Sequence, residues 1–214
     1  MGFIKGILKF FGSLAIFLAL GLLFVSVFGS NLVDSFPDYK TDIDNEILNL
    51  VYTDLEEQTG LTREQIQRQC ENDNSDFCMS FSDENLKENS PFTKLQGDLE
   101  RVRYYFNAAR NIGAFLLAVG LALYLLGLGV ISGLKHALFS GAVASVFNYL
   151  FYKFALMGIV NSMIKDALPD GLGGILGIMK IWINSSVSET ISFIMIVGVI
   201  SIASMIIFLV IKKK

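Results

Sequence analysis

The stretch from Phe10 to Phe28, FFGSLAIFLALGLLFVSVF, carries no charge and is long enough to cross a bilayer as one helix. A transmembrane helix needs about twenty apolar residues, and backbone amides left unpaired in lipid are too costly for any irregular structure. Comparable stretches run from Ile112 to Ile131, from Ala137 to Val160 and from Ile191 to Ile211, with Lys153 as their only charge. The sequence therefore predicts an all-α integral membrane protein, a tetraspan bundle of four transmembrane helices.

The overall composition agrees with a membrane protein. Of the 214 residues, 53% are hydrophobic and only 17% are charged, and the mean hydropathy is +0.55. Soluble domains average about 25% charged residues, so a chain this poor in charge is atypical of them. The charges that are present are unevenly placed, and their placement predicts the topology.

The acidic residues lie on one side of a four-span arrangement, and the basic residues of the two tails and of the turn between spans 2 and 3 lie on the other. Lys5, Lys9, Lys135 and the run 212–214 fall on one side, and Lys or Arg in short loops is retained in the cytoplasm. All 20 acidic residues fall on the other side, 17 of them between residues 34 and 100. We therefore expect a multi-pass protein of the cell membrane with both termini in the cytoplasm.

The composition divides the chain into five segments. Residues 1–29 are span 1, expected to be retained as a signal anchor, although cleavage before Ser30 as a signal peptide is the alternative. The remaining segments are an acidic helical extracytoplasmic domain (30–110), a transmembrane hairpin of spans 2 and 3 (111–165), an outer Gly-rich segment (166–189), and span 4 with a basic cytoplasmic tail (190–214).

The extracytoplasmic domain carries helical rather than strand periodicity. Apolar residues recur every four positions in a first external helix, at Ile43, Ile47, Val51 and Leu55. Gly60 is expected to end that helix. A last external helix, from Thr93 to Asn111, is expected to continue into span 2 without a break. Because its apolar residues are few, the domain should have a thin core and depend on a partner, the bilayer or a covalent link.

Cys70 and Cys78 are the only cysteines in the chain, and we expect them to form a disulfide because the domain faces an oxidising compartment. Thiol redox chemistry is the alternative, but it usually uses C-x-x-C spacing. The acidic loop between the cysteines lacks the ordered ligand pattern of a calcium-binding EF-hand. No metal and no cofactor are predicted.

Span 3 contains a short polar stripe that forms a candidate substrate or ion pathway, made of Asn148, Tyr149, Tyr152 and Lys153. A charge inside a span is costly and often functional. The structural alternative is that the lysine reaches the outer headgroups while both tyrosines join an aromatic belt.

The Gly-rich segment 171–182 is too short to cross the membrane, so it is predicted to be either interfacial or re-entrant. Trp182, the only tryptophan, would anchor it at the headgroups. Asn184 begins an Asn-Ser-Ser glycosylation sequon on the predicted outer face.

Small residues recur at helical spacing in each span and predict a compact bundle, because they let helix backbones approach closely in lipid. In spans 2, 3 and 4 they are Ala114, Ala118 and Ala122, then Ala137, Gly141 and Ser145, then Gly198 and Ser201.

No nucleotide-binding loop, dinucleotide fingerprint or zinc-ligand pair is present, and the single histidine, His136, excludes the usual His-based catalytic clusters. No catalytic residues are therefore predicted, and thiol redox chemistry is the least unlikely enzymatic activity.

We expect a non-enzymatic multi-pass membrane protein whose external domain mediates protein–protein interaction or assembly in the cell envelope. The alternative is a small channel or transporter subunit that uses the polar stripe of span 3 and the Gly-rich segment. The expected partners are the bilayer and a membrane or envelope protein or a second copy, with no nucleic acid.

Overall fold

A computed structural model of the protein describes residues 2–71, 78, 86, 90–167 and 173–211, and these residues are almost entirely helical, with no strand among them. The helices are α1 (Gly2–Thr59), α2 (Arg63–Glu71), α3 (Pro91–Leu128), α4 (Val130–Leu150), a π-helical segment (Phe151–Leu156), α5 (Met157–Ala167) and α6 (Gly173–Ile211).

Four helices in the described part of the chain are long and apolar enough to cross a membrane. The candidate spans lie within Phe3–Thr59, Phe92–Leu128, Val130–Ser162 and Gly173–Phe208. The prediction of an all-α fold with four candidate membrane-spanning helices is confirmed, and these helices are compatible with a multi-pass membrane protein.

Helix α1 is continuous over 58 residues, about 87 Å at 1.5 Å per residue. The predicted boundary at residue 30 therefore falls inside a helix, and span 1 and the first external helix are one element. Pro37 lies within it, although an internal proline removes one backbone hydrogen bond and costs about 3 kcal/mol. Val33 and Phe36, in the helical turn just before the proline, are 5% and 1% exposed. Packing of these side chains offsets the local preference to break.

Helices α1 and α3 pack antiparallel through a seam of three glycines, Gly113, Gly120 and Gly127, spaced seven residues apart. We call these three residues the glycine seam. A Cβ atom built on Gly113 would lie 3.0 Å from the carbonyl oxygen of Ala19, and one on Gly127 would lie 3.0 Å from the Cβ of Leu8. The two backbones are therefore close along the whole contact. The alanine stripe predicted for span 2, at Ala114, Ala118 and Ala122, is exposed on the opposite side of the helix.

The stripes predicted for spans 3 and 4 do meet. A Cβ atom on Gly141 of α4 would lie 3.1 Å from the Oγ of Ser201 on α6, and one on Gly198 would lie 3.2 Å from the Cβ of Ser145. The turn between α3 and α4 is a single residue, Gly129, with φ of +77°, whereas the sequence suggested a loop over residues 132–136. Spans 2 and 3 thus form a tighter hairpin than expected.

Seven buried side chains from all four spans form the core of the bundle: Ile16, Leu20 and Phe24, Tyr124, Ala144, Tyr152, and Ile194. Three of them belong to span 1. Span 1 is therefore an integral part of the packed core.

Residues 30–59 of α1 and 91–110 of α3 continue beyond the spans as a pair of antiparallel helices, which we call the arm. Asp34 of α1 and Arg103 of α3 form an ion pair across it. A small second core, made of Leu48, Tyr52, Leu55 and Ile66, holds α2 against the end of α1. The arm is therefore an extension of the bundle helices and not a separately folded unit. The helix predicted to run from Thr93 into span 2 is continuous, as expected.

Candidate functional site

Lys153 lies in the π-helical segment that follows α4, and such segments are frequent at functional sites. Its Nζ donates a hydrogen bond of 2.9 Å to the hydroxyl of Tyr149. The ammonium also lies 5.3 Å from the centre of the Tyr149 ring and 5.8 Å from that of Phe154. The side chain is exposed on the outside of the bundle, and no carboxylate in the described part of the chain pairs with it. The ammonium therefore lies against two aromatic rings, and it has N–H groups left to donate beyond its hydrogen bond to Tyr149.

The other two residues of the predicted pathway face inwards. Asn148 is 8% exposed, and its Nδ2 donates to the carbonyl oxygen of Ala144 at 2.8 Å. Tyr152 is 2% exposed, with its ring centre 5.8 Å from that of Phe28. The stripe is thus divided between the packed core and the outer surface, so its four side chains do not line one path. This geometry gives no support to the transport alternative.

A cleft of about 280 Å³ lies between α4 and α6, next to Tyr149. Its lining residues are Ser145, Val146, Tyr149, Ile194, Met195, Gly198, Val199 and Ile202. Ser145 is 3% exposed, and its Oγ has no hydrogen-bond partner. Ser145 and Tyr149 both line the cleft, and Lys153 lies beside it, joined to Tyr149 by a hydrogen bond. Sequence reasoning missed Ser145 as a site residue because it fits equally well as a small packing residue.

A second polar group joins three helices at the opposite end of the bundle. The hydroxyl of Tyr124 on α3 shares hydrogen bonds with Ser13 of α1 and, at 2.8 Å, with Ser140 of α4. The two serine hydroxyls are 3.2 Å apart. Both serines also line a cleft of about 330 Å³ between α1 and α4. The only sequence signal for this cluster was the presence of hydroxyls inside apolar spans, and spacing along the chain does not predict which hydroxyls meet.

The hydroxyl cluster lacks the geometry of a nucleophilic site. The ring centre of His136 is 6.0 Å from that of Tyr124, and its Nδ1 lies 2.8 Å from the carbonyl oxygen of Ser132. A general base must reach the proton that it abstracts at about 2.6–3.2 Å, and no hydrogen bond joins this ring to the cluster. The cluster is therefore best explained as a clamp between helices.

Replacing Tyr124 by Phe should weaken the bundle modestly. The substitution removes two interhelical hydrogen bonds but keeps the buried ring, and such bonds average about 0.6 kcal/mol each in membrane proteins. The midpoint of unfolding in a detergent titration should fall by an amount equivalent to about 1 kcal/mol. Ser132→Ala, at an exposed position outside the cluster, is the control. An unchanged midpoint for Tyr124→Phe would mean that the three hydroxyls do not clamp the helices.

Trp182, the predicted interface anchor, lies inside a helix–helix contact. It is 4% exposed, and its Nε1 donates to the carbonyl oxygen of Leu32 at 3.0 Å and to the Oγ of Ser35 at 3.1 Å. Its ring centre is 5.0 Å from that of Phe36. From residue 173 onwards the Gly-rich segment is the first part of α6, which continues without a break into the candidate span 4. Over the described residues it is therefore a continuous helix packed on α1 and not a re-entrant loop, while its position at the headgroups stays a prediction.

The geometry around Asn184 disfavours glycosylation. The residue lies in the middle of α6, and its Oδ1 is buried without a hydrogen-bond partner. Ser186, the hydroxyl residue of the sequon, is 1% exposed and donates to the carbonyl oxygen of Trp182. A glycosylated Asn belongs to an accessible surface segment, whereas this one is packed against neighbouring helices.

The predicted disulfide is confirmed: Cys70 and Cys78 are bonded, with an S–S distance of 2.06 Å. The acidic loop between them, including the candidate calcium ligands, lies outside the described residues. The bond ties the end of α2 to the following segment at the far end of the arm.

Neither a metal site nor a known relative directs the choice of function. Within the ranges that the structure describes, no group of three or more His, Cys, Asp or Glu residues is placed to hold a metal ion. The features that bear on function are therefore the arm, the clefts and the charges. Comparisons with protein-family models, with curated proteins and with solved structures found no match to this chain.

Proposed function

We propose that this protein is a membrane-anchored adaptor whose arm binds a basic surface of another envelope or membrane protein. The single observation that carries the proposal is the continuity of α1, which runs from the bundle core to the end of the arm as one helix. Such an element positions an acidic surface at a fixed distance from the spans.

The reach of the arm follows from helix geometry. Residues 30–59 of α1 extend about 45 Å beyond span 1 at 1.5 Å per residue. The Asp34–Arg103 pair and the contact of Trp182 with Leu32 and Ser35 tie its base to α3 and α6. A helix held on two sides at its base is a rigid spacer, which suits an adaptor better than a flexible tether would.

The charge of the arm favours a basic partner over a second copy. Between residues 34 and 100, 17 acidic residues stand against five Lys or Arg. The far end carries the exposed carboxylates of Asp54, Glu56, Glu57 and Glu64. Like charges brought together cost free energy, and complementary ones speed and direct association. Two acidic arms repel each other, and an arm of this charge is also repelled by anionic headgroups.

The orientation that we propose places the arm outside the cytoplasm. Lys5, Lys9 and Lys135 favour cytoplasmic retention of the end of the bundle at which they lie. A disulfide at the far end of the arm suits an oxidising compartment. Arg101, Arg103 and Arg110 lie on the proposed outer side, against the general rule, but long external segments are translocated largely regardless of charge.

Photocrosslinking in native membranes tests the adaptor proposal. A photoreactive side chain at Gln58, exposed at the far end of α1, should capture one protein of defined mass. The same side chain at Ile207, 58% exposed within span 4, is the control and should capture lipid or a protein of different mass. Capture only of lipid or of a second copy at Gln58 would contradict the proposal.

Charge reversal tests the chemistry of that partner. The double variant Asp54→Lys and Glu57→Lys should reduce capture by about tenfold, because each reversal replaces an attraction by a repulsion. Salt at about 0.5 M should reduce capture too, since the screening length is then only about 4 Å. Asp98→Lys, at an exposed residue in α3, is the control for charge away from the far end. Equal capture by the double variant and the native chain would exclude a basic partner surface there.

A further inference from the structure

We propose that the cleft between α4 and α6 binds one anionic phospholipid, with its phosphate on Lys153 and Tyr149 and one acyl chain along the apolar wall past Ser145. This site is independent of the adaptor function. It accounts for two features that packing alone leaves unexplained, namely an unpaired cation and an open apolar cleft beside the tyrosine that holds it.

Lys153 is the cation that would bind the phosphate. Lys153 donates one of its three N–H groups to Tyr149, and no carboxylate in the described ranges offers a partner to the other two. A phosphate is the anion that the bilayer itself supplies at the end of a span, and lysine is an established ligand for it. The hydroxyl of Tyr149, which accepts from Lys153, retains its own proton to donate to the same phosphate.

The open apolar cleft is the second feature. Ser145, Tyr149 and the facing residues of α6 line it, and the surface that it exposes is apolar. The Oγ of Ser145 is itself buried, so the cleft offers an acyl chain an apolar wall. An acyl chain would cover this surface while its headgroup lies at Lys153 and Tyr149.

The order of the groups along the helix matches the polarity of a phospholipid. At 1.5 Å per residue, Lys153, Tyr149 and Ser145 lie about 6 Å apart in succession along the helix axis. The α6 wall beside them is apolar, and Gly198 packs closely on Ser145. A charged headgroup and then an acyl chain would meet the cation with its tyrosine partner and then the apolar wall, in that order. A second copy would instead bring another unpaired Lys153 to the same place.

The test compares two spin-labelled lipids with the full-length protein in phosphatidylcholine vesicles. Phosphatidylglycerol and phosphatidylcholine, each labelled on the acyl chain, report the motionally restricted fraction next to the protein. We expect the native chain to prefer phosphatidylglycerol. Lys153→Met should lower that preference by about fivefold, the effect of one lysine near an anionic lipid. Lys180→Met, at an exposed lysine of α6, should leave the preference unchanged.

A second pair of variants separates binding in the cleft from general attraction to a lysine. Val146→Trp fills the cleft and should abolish the preference even though Lys153 is intact. Val143→Trp, on the same helix but lining the other cleft, should retain it. The proposal is overturned if Lys153→Met keeps the full preference, or if Val146→Trp keeps it. It is also overturned if Val146→Trp changes the oligomeric state in place of lipid selectivity, because a second copy would then be the occupant.

Discussion

Replacing Gly120 by leucine should cause a large loss of stability of the bundle. A Cβ atom at this position would lie 2.8 Å from Cγ1 of Ile16 and 3.1 Å from the backbone oxygen of Gly12. It would also lie 3.1 Å from the backbone nitrogen of Ile16, so two of the three contacts are with backbone and cannot be relieved by a change of rotamer. Overpacking costs about 1–3 kcal/mol in general, and we expect about 3 kcal/mol or more here because the helices must separate.

The sole tryptophan reports this unfolding. Trp182 is buried against α1, so its fluorescence in a dodecyl sulfate titration follows the loss of tertiary contacts while the helices persist. The transition of Gly120→Leu should move to a lower detergent fraction. Gly21→Leu is the matched control within a span, because a Cβ atom at Gly21 meets nothing within 4 Å. Equal transitions for both variants would show that the glycine seam is not a close contact.

Replacing Trp182 by alanine should release the first part of α6 from the arm. The substitution deletes a buried ring that packs on Phe36 and removes two hydrogen bonds, to Leu32 and Ser35. Truncation of a buried aromatic side chain costs about 3–5 kcal/mol. Because this contact lies outside the main core, the loss should appear as local opening and not as unfolding of the spans.

Hydrogen exchange measures that opening directly. Amides of residues 173–185 should exchange at least tenfold faster in Trp182→Ala, since about 1.4 kcal/mol corresponds to each factor of ten. Trp182→Phe keeps an aromatic ring on Phe36 but loses the hydrogen bonds and part of the buried indole, so its effect should be smaller than that of Trp182→Ala, about 1–3 kcal/mol. Ile181→Ala, at a neighbouring residue that is 60% exposed, should exchange like the native chain. If Trp182→Ala left these amides as protected as before, α6 would not depend on this contact.

Hydropathy predicts the spans well because the bilayer imposes its own length and hydrogen-bonding demands on each helix. The helix ends outside the bilayer were predicted less well. The sequence placed a segment boundary at residue 30 and a separate Gly-rich segment before span 4, but α1 and α6 continue through the described parts of both regions, and α1 does so through Pro37. The local preference of proline and glycine against helix costs about 1–3 kcal/mol. Burial of Phe36 and Trp182 in contacts between helices contributes more free energy than this.

The residues of the candidate site were likewise predicted only in part from the sequence. Lys153 and Tyr149 were predicted as site residues because a charge in a span stands out in any sequence. The structure adds Ser145 to them and removes Asn148 and Tyr152, because the direction of each side chain depends on which neighbouring helix packs on α4. The cluster of Ser13, Tyr124 and Ser140 joins residues more than a hundred positions apart, and no periodicity along the chain pairs them.

By itself, then, the sequence determined the number of spans, the disulfide, the acidic character of the arm and the presence of one intramembrane cation. These properties depend on composition and spacing, which the chain carries locally. Only the tertiary structure decided that the arm continues the bundle helices, that glycines and not alanines form the close contact of span 2 with span 1, and that Tyr149, the partner of Lys153, borders a cleft with Ser145. Those features depend on which faces meet, and in lipid that choice is made by close packing between helices, because burial of apolar surface discriminates little among them.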